Sequence, residues 1–591
     1  MGRPGLDLAI IGGTLVDGTG GEPRRADVGV RDGCIVEVGT LGSDATRTID
    51  AEGAIVTPGF VDLHCHYDGQ AAWDTEMLPS AVHGVTTAVL GNCGVGFAPV
   101  RTRDHERLIR LMEGVEDIPG SALAEGLRYR WETFGQYMDA LDAMPRTLDV
   151  ALQVPHDALR LYVMGDRAEA TESATDDDVT KMAALLREAL DQGALGFSTG
   201  RTDTHRSADG RATPASEATL RELEGLGRAF VGLSHGVLQA VSDFDMDRGP
   251  ACFDAEIELL VAMARASGGR PLSLSTLERD ADSNQWRRIL ARVSEADAAG
   301  IPMRAQVAPR AIGVILGLEA TFHPFVGFPS YKAIAALPLA ERVARMRDES
   351  FRDRLLAEKS ERLAGDGSSV PPLADKLLEH IDLAAMRFFR LGDPPRYEAP
   401  RSESLFAEAM ATGRSTLRVI YDALLEEDGR ALLYFPLFNY TEATLDHARE
   451  MLAHPLALWA LSDGGAHVGT VCDASFPTFA LMCWARDRRD GFPLETVVAA
   501  LSARNAAYVG FADRGLVRTG MRADLNVIDH ATLALARPRL VRDLPAGGKR
   551  FLQDARGYRA TVCAGIVTVE HDRLTGAAPG RVARAHASRL R

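Results

Sequence analysis

The sequence lacks the features that mark secreted and membrane proteins. Its 591 residues include only 7 cysteines, an odd number spread widely along the chain, which do not form a disulfide framework. No segment approaches the ~18 consecutive apolar residues of a membrane-spanning helix. The apolar run near the start is also too short for a secretory signal. We therefore expect a protein of the reducing cytoplasm that has no membrane partner.

The sequence also lacks an excess of positive charge. The chain has 66 Lys and Arg against 82 Asp and Glu, a net charge of −16, which disfavours binding to nucleic-acid phosphates or anionic lipid. With 46% hydrophobic and 25% charged residues, the composition is globular and excludes extended disorder. We expect a small-molecule partner and no nucleic acid. The oligomeric state stays open, with a homo-oligomer among the options.

The pattern of apolar runs changes twice along the chain. Residues 1–57 hold short β-prone runs, and Arg31-Asp32-Gly33 between two of them is typical of a hairpin. From 58 to about 510, short apolar runs alternate with helical stretches, which indicates βαβ units and a parallel sheet. Residues 511–591 are β-like again. The predicted fold class is α/β: a (β/α)8 TIM-like barrel plus a small β-sandwich domain formed by both chain ends.

Eight runs in the middle of the chain are predicted as the barrel strands. A helical, charged segment at about 320–430 separates the seventh from the eighth and is predicted as an insertion. Its apolar stretch Phe322–Pro329 either lines a pocket or forms the core of the insertion. The eight predicted strands are Phe60–His66, Val85–Cys93, Val150–Val154, Ala194–Thr199, Gly236–Ser242, Pro271–Thr276, Met303–Ala308 and Leu458–Asp463.

The first of these strands carries the strongest chemical signal. It ends in Asp62-Leu63-His64-Cys65-His66. Alternate side chains of a strand face the same way, so His64 and His66 are expected to converge at the strand end. Two imidazoles in this arrangement favour a divalent-metal site, with Asp62 as a candidate acceptor for a ring N–H.

These residues also resemble a known family. Thr57-Pro58-Gly59-Phe60-Val61-Asp62-Leu63-His64-Cys65-His66 and Gly520–Val527 resemble the amidohydrolase superfamily. More narrowly, three further segments resemble the N-acyl-D-amino-acid deacylases, the D-aminoacylase family. These are Gly84-Val85-Thr86-Thr87 with Gly91–Pro99, then Gly196-Phe197-Ser198-Thr199-Gly200, and Leu461-Ser462-Asp463-Gly464.

The resemblance implies a function and a set of site residues. It implies that His64, His66, Cys93 and Asp463 bind a divalent metal, Zn²⁺ being the ion expected, as one or two ions. Asp463 would also be the catalytic general base on a metal-activated water. The implied activity is hydrolysis of an amide bond in a small molecule, an N-acyl-D-amino acid in this family. A cyclic amide or imide is the alternative substrate.

The sequence departs from this family at two strands. D-aminoacylases carry further metal histidines at the ends of strands five and six, but neither Gly236–Ser242 nor Leu272–Leu277 contains one here. His235 precedes its strand, and we interpret it as a loop histidine. This departure leaves the metal count open, and it leaves a non-catalytic binding protein on the same barrel as another hypothesis.

Other polar residues lie at predicted strand ends, where barrel enzymes place their active sites. An arginine is expected to bind a substrate carboxylate. His205 is a candidate ligand, acid or surface residue, and His467 either donates to an oxyanion or lies in a loop. Asn92 either binds substrate or supports a tight backbone. The candidate substrate-binding residues are Asn92, Arg201, His205, Gln239, Gln306, Arg310 and His467.

One segment also matches a different hydrolase motif by letter. Gly196-Phe197-Ser198-Thr199-Gly200 fits the Gly-x-Ser-x-Gly pattern of serine hydrolases. That motif requires a helix directly after the serine, whereas residues 201–213 have no helical pattern. We therefore disfavour a nucleophilic Ser198.

Overall fold

An eight-stranded parallel sheet forms the centre of the molecule. The structure is a computed structural model, and it describes residues 5–244, 251–363 and 373–585. Neighbouring strands of the sheet pair in chain order, which confirms the predicted mixed α/β fold. Strands one to eight are Phe60–Asp62, Val85–Leu90, Asp149–Pro155, Gly196–Arg201, Val237–Ser242, Leu272–Ser275, Met303–Val307 and Ala457–Trp459.

The sheet curls until its first and last strands lie side by side. Cys65 and Gly464, just beyond strands one and eight, form an isolated parallel bridge. The amide of Asn505 donates to the carbonyls of Val61 and Trp459, at 2.9 Å each, and so links the two edge strands. The carboxyl ends of strands one and eight are thereby brought together, as in a TIM-like barrel.

Helices connect the strands of the parallel sheet. The helix Asp176–Asp191 shows why they form: Thr175 Oγ1 accepts from the backbone N–H of Asp178, whose carboxylate accepts from the backbone N–H of Thr175. The helices outside the insertion are Leu78–Ala81, His105–Glu116, Gly120–Gly126, Phe134–Asp142, His156–Met164, Asp166–Glu169, Asp176–Asp191, Leu220–Arg228, Ala251–Ala266, Gln285–Ala298, Asp446–Leu452, Phe476–Phe479, Leu494–Ala499 and Asn505–Tyr508. Two π-helical segments, Ala480–Asp487 and Ala500–Arg504, extend the helices that precede them.

Strands from both chain ends share one sheet. Leu525–Ile528 pairs with Ile55–Pro58 on one side and with Tyr558–Cys563 on the other, both antiparallel. The seven-stranded sheet runs in the order Arg573–Leu574, Ile566–Glu570, Tyr558–Cys563, Leu525–Ile528, Ile55–Pro58, Thr14–Leu15 and Arg24–Arg25. A four-stranded sheet runs in the order Cys34–Gly39, Asp27–Arg31, Leu6–Ile11 and Ala45–Asp50.

Two short hairpins complete the C-terminal part. They pair Ala534–Leu535 with Ala555–Arg556 and Arg539–Leu544 with Gly548–Leu552. The assignment of all these sheets to a single β-sandwich domain stays a prediction. Residues 1–4 and 586–591 of the predicted terminal segments lie outside the described residues.

The insertion between strands seven and eight has a hydrophobic cluster of its own. Phe322, Phe325 and Phe328 are buried in it, so Phe322–Pro329 belongs to the core of the insertion. Residues 364–372 of the insertion lie outside the described residues. Its strands are Ile312–Leu316, Phe389–Arg390 and Leu433–Phe438, and its helices are Pro329–Lys332, Leu339–Arg347, Glu349–Ala357, Leu373–Glu379, Ile381–Ala385, Leu405–Thr412, Thr416–Leu424 and Glu426–Gly429. None of the helices in the described part of the chain has the length and apolar character needed to cross a bilayer.

Candidate metal centre

Three strands end three or four residues earlier than predicted, and the candidate ligands lie just beyond them. Strand one ends at Asp62, strand two at Leu90 and strand eight at Trp459. Cys93, Leu461 and Asp463 have φ values of 55°, 64° and 47°, in the left-handed region that ends strand pairing. Non-glycine residues are uncommon in this region and occur mainly in turns and at functional sites. The candidate ligands therefore lie on short loops just beyond the ends of the strands.

Four of these side chains converge. His64 Nε2 lies 3.2 Å from Cys93 Sγ and 3.4 Å from Asp463 Oδ1. His66 Nε2 lies 3.7 Å from the same carboxylate oxygen. One donor atom each of His64, His66 and Cys93 lie within 4.8 Å of one another. Two imidazoles, a thiolate and a carboxylate make a donor set that suits Zn²⁺, so these residues fit the expected ion.

Burial sets the protonation of this group. It lowers the pKa of His64 to about 4 and that of His66 well below its ordinary value, so both rings are neutral, as ligands must be. Burial also raises the pKa of Asp463 to about 7, with a smaller contribution from Asp62. The pKa of the Cys93 thiol is raised well above its ordinary value by burial, then by Glu116. A nearby cation counteracts this effect and favours the thiolate.

Gln306, on strand seven, orients His64. Its Oε1 atom lies 2.7 Å from His64 Nδ1, and its Nε2 atom donates to Ser273 Oγ at 2.9 Å. Asp62, which the sequence suggested for this role, accepts instead from the backbone N–H of His64 and from the Ser462 hydroxyl. The reason is that strand one ends at Asp62, so strand alternation does not carry its carboxylate to the imidazoles. Gln306 thus holds the His64 ring with Nε2 toward Cys93.

Glu116 was not found from the sequence. It is the last residue of the helix His105–Glu116, and its Oε1 atom lies 3.2 Å from His66 Nδ1. Burial raises the pKa of its carboxyl well above the ordinary value, and the charges of Asp463 and Asp68 raise it further. A glutamate at a helix end gives no motif that a sequence reading detects.

Gln239 and Asn92 support the loop that carries Cys93. Gln239 Oε1 accepts from the backbone N–H of Cys93 at 2.8 Å, while its Nε2 atom is buried without a hydrogen-bond partner. Asn92 donates to the carbonyls of Cys65 and Val89 and accepts from Gln153. The side-chain amide of Gln239 therefore keeps its N–H donors unused. The side-chain amide of Asn92 uses both its nitrogen and its oxygen in contacts within the protein.

His205 and His467 lie beside the donor group. The charges of His467 and His64 contribute, after burial, to lowering the pKa of His205 to about 3. His205 Nδ1 is buried and has no hydrogen-bond partner. The His467 side chain is 33% exposed, more than those of His64, His66 and Asp463, so it lies on the solvent side of the group. His467 therefore lies between the donor group and solvent, and His205 has a ring nitrogen without a partner.

Arg201 and Arg310 are engaged elsewhere. Arg201 forms a two-pronged ion pair with Glu256, at 2.8 Å for each contact, and donates to the carbonyl of Ala218. Arg310 is buried, pairs with Asp473 at 2.5 Å and lies over the ring of Tyr397. Carboxylates of the protein thus already neutralise both arginines.

Ser198 also has a structural contact. Its hydroxyl accepts from the backbone N–H of Gly94 at 3.0 Å. Strand four continues to Arg201, and the next helix begins only at Leu220. The strand–turn–helix geometry of a serine nucleophile is therefore absent at this described position.

Comparison with known proteins fixes the family. The model of a family described as the amidohydrolase family matches residues 47–365 and 422–569. The chain belongs to this family. It is accordingly a hydrolase that acts on carbon–nitrogen bonds, which removes the hypothesis of a non-catalytic binding protein.

The resemblance to deacylases is also confirmed. The chain is 29% identical to the D-aminoacylase of Alcaligenes xylosoxydans xylosoxydans over 537 residues, covering 90% of this chain and 89% of the relative. A D-aminoacylase structure, described as having a binuclear metal centre, is 25% identical with a TM-score of 0.63, covering 98% of this chain and 99% of that one. The N-acyl-D-glutamate deacylase of Bordetella bronchiseptica, solved with zinc and a phosphonate inhibitor, is 24% identical with a TM-score of 0.64, covering 98% and 100%. The last likeness shows the fold alone.

Proposed function

We propose that this chain is a metal-dependent hydrolase of the amide bond of N-acyl-D-amino acids, with Zn²⁺ as the ion. The observation that carries the proposal is the convergence of His64, His66, Cys93 and Asp463 at the carboxyl end of the sheet. Active sites of barrel enzymes lie at this end. The similarity to D-aminoacylase supports the substrate class.

Each residue of the group has a defined task. His64, His66, Cys93 and Asp463 would hold the ion. A bound divalent ion supplies Lewis-acid activation of water and of the scissile carbonyl. The carboxylate of Asp463 takes a proton from the attacking water and passes it to the leaving amine. Burial raises the pKa of Asp463 to about 7. A divalent cation beside it opposes this shift and favours the carboxylate form, which accepts the proton.

The substrate contacts follow from the free donors. We assign the imidazoles of His205 and His467 and the Nε2 atom of Gln239 to substrate binding. The two imidazoles lie beside the metal-binding group, and Gln239 Nε2 has no hydrogen-bond partner. His467 is the candidate donor to a developing oxyanion. The ion number is one or two, and strands five and six, both fully described, contain no histidine that supports a second site.

One observation favours the alternative substrate. The two arginines expected to bind an open-chain carboxylate are paired with Glu256 and Asp473. A cyclic amide or imide has no free carboxylate and does not require them. It therefore stays the second candidate.

Metal content and substrate preference together test the proposal. The purified protein, dialysed and reloaded with Zn²⁺, is expected to bind a stoichiometric ion. It is also expected to release amine from N-acyl-D-amino acids faster than from their L enantiomers. Cleavage only of hydantoins or dihydropyrimidines would favour the cyclic alternative. A protein that binds no divalent ion would overturn the proposal.

The wider organisation is part of the proposal. We propose a β-sandwich from residues 1–57 and 511–591 and a catalytic barrel from 58 to 510, interrupted at about 320–430, because strands of both ends pair in one sheet. A cytoplasmic location, suggested by the cysteine content, and a homo-oligomeric state stay predictions.

A further inference from the structure

Glu116 is buried at a place that is costly for a carboxylate. It ends the helix His105–Glu116, and its side chain is 2% exposed. The carboxyl end of a helix carries partial negative charge, which disfavours an acidic side chain there. Burial of a carboxylate also costs free energy unless partners compensate it. Its contacts therefore require an explanation.

Both carboxylate oxygens of Glu116 face imidazoles. Oε1 lies 3.2 Å from His66 Nδ1, and Oε2 lies 3.8 Å from His467 Nε2. The backbone carbonyl of Glu116 also accepts from the backbone N–H of His467. One residue on the segment after strand two thus contacts a ligand after strand one and a histidine after strand eight.

The two nitrogens of His66 face different groups. Nε2 lies 3.7 Å from Asp463, on the side of the metal ligands, whereas Nδ1 faces Glu116. Histidines that bind metals usually donate their other ring N–H to a carboxylate, which fixes the tautomer and makes the ligand nitrogen more basic. Glu116 Oε1 lies at the distance that such a contact needs, and His66 Nδ1 is buried with no other hydrogen-bond partner.

We propose that Glu116 is a positioning residue that holds His66 with Nε2 toward the ion and thereby sets the metal affinity of the centre. The proposal rests on the metal-dependent function proposed above. Its other carboxylate oxygen, Oε2, lies beside His467 and helps to position that ring as well. Glu116 thus acts through these two imidazoles and does not itself contact the reacting atoms.

Metal affinity, measured separately from activity, tests this role. The dissociation constant for Zn²⁺ is measured by competition with a chromophoric chelator for wild type, Glu116→Gln and Glu116→Ala. Loss of a residue that orients a metal ligand typically weakens affinity about 10- to 100-fold. We expect Glu116→Gln near the lower figure, because an amide oxygen can still lie beside His66 Nδ1, and Glu116→Ala near the upper one. At saturating Zn²⁺, kcat is expected to recover more fully in Glu116→Gln than in Glu116→Ala.

A matched control separates charge from position. Glu106→Gln removes the same charge from the exposed first turn of the same helix and is expected to leave Zn²⁺ affinity unchanged. Circular dichroism identifies variants that fail to fold. If Glu116→Gln or Glu116→Ala fails to fold, Glu116→Asp is titrated in its place, and it is also expected to bind Zn²⁺ more weakly than wild type. Wild-type affinity in a folded Glu116→Gln and a folded Glu116→Ala would overturn this inference alone. A wild-type protein that binds no Zn²⁺ would overturn the proposed function itself.

Discussion

Asp463→Asn is the sharpest test of the proposed chemistry. Asp463 holds a φ of 47°, and asparagine adopts this left-handed conformation more readily than most residues, so the loop is expected to keep its shape. The side chain is 18% exposed, and its Oδ1 atom lies 3.4 Å from His64 Nε2. The amide keeps the volume and one oxygen but loses the capacity to accept a proton.

The expected loss follows from the role of a general base. Such a group contributes about 100- to 10,000-fold to the rate. At ~1.36 kcal/mol per tenfold change, this is about 2.7–5.4 kcal/mol of transition-state stabilisation. The assay is amine release from an N-acyl-D-amino acid at saturating Zn²⁺, so that weaker metal binding does not contribute to the loss. Saturation is verified by showing that doubling the Zn²⁺ concentration leaves the rate unchanged.

A surface variant provides the control. Asp177→Asn removes a carboxylate that is 72% exposed and pairs only with Lys181, so activity and stability should stay near wild type. Asp463→Asn activity within about threefold of wild type at saturating Zn²⁺, with the fold intact, would refute the assignment of Asp463 as the base, since the expected loss is at least about 100-fold.

Three further outcomes follow from the structure. Removal of metal with a chelator should lower the free energy of unfolding, by about 2.7 kcal/mol relative to free Zn²⁺ at about 100 times its dissociation constant; urea titrations that coincide with and without Zn²⁺ would contradict the donor group. Ser198→Ala should keep near-wild-type kcat/KM, because the hydroxyl only accepts from Gly94, whereas near-complete inactivation of a folded variant would favour a serine nucleophile. Arg310→Met should lower stability in urea unfolding by about 3–5 kcal/mol, because it leaves Asp473 buried without its ion-pair partner. A loss below about 1 kcal/mol would show that the pair is not a structural anchor.

The sequence predicted the eight strands because each βαβ unit repeats a short apolar run and a helix of distinct periodicity. It predicted His64 and His66 because the two lie close together in the chain. The predicted strand lengths were less accurate. Strands two and eight end at Leu90 and Trp459, and the residues after them, up to Cys93 and Asp463, include left-handed conformations that leave no pattern of hydrophobicity.

Contacts between distant segments account for what the sequence reading missed. Arg201 pairs with a glutamate 55 residues away, and Arg310 pairs with an aspartate 163 residues away. Gln306 reaches His64 across 242 residues of chain. Only the folded sheet brings such partners together, so an arginine at a strand end looks free to bind substrate until its carboxylate partner is located.

The way in which the sheet closes has a consequence for synthesis of the chain. The segment that contains Asp463 is synthesised long after His64 and His66. Its neighbour Ser462 contacts the His64 carbonyl across 398 residues of chain. A nascent chain therefore cannot complete its donor set until nearly four-fifths of the protein has been translated. A product truncated between Cys93 and Asp463 would carry the two imidazoles and the thiol without the carboxylate proposed as the base, so we expect it to be inactive.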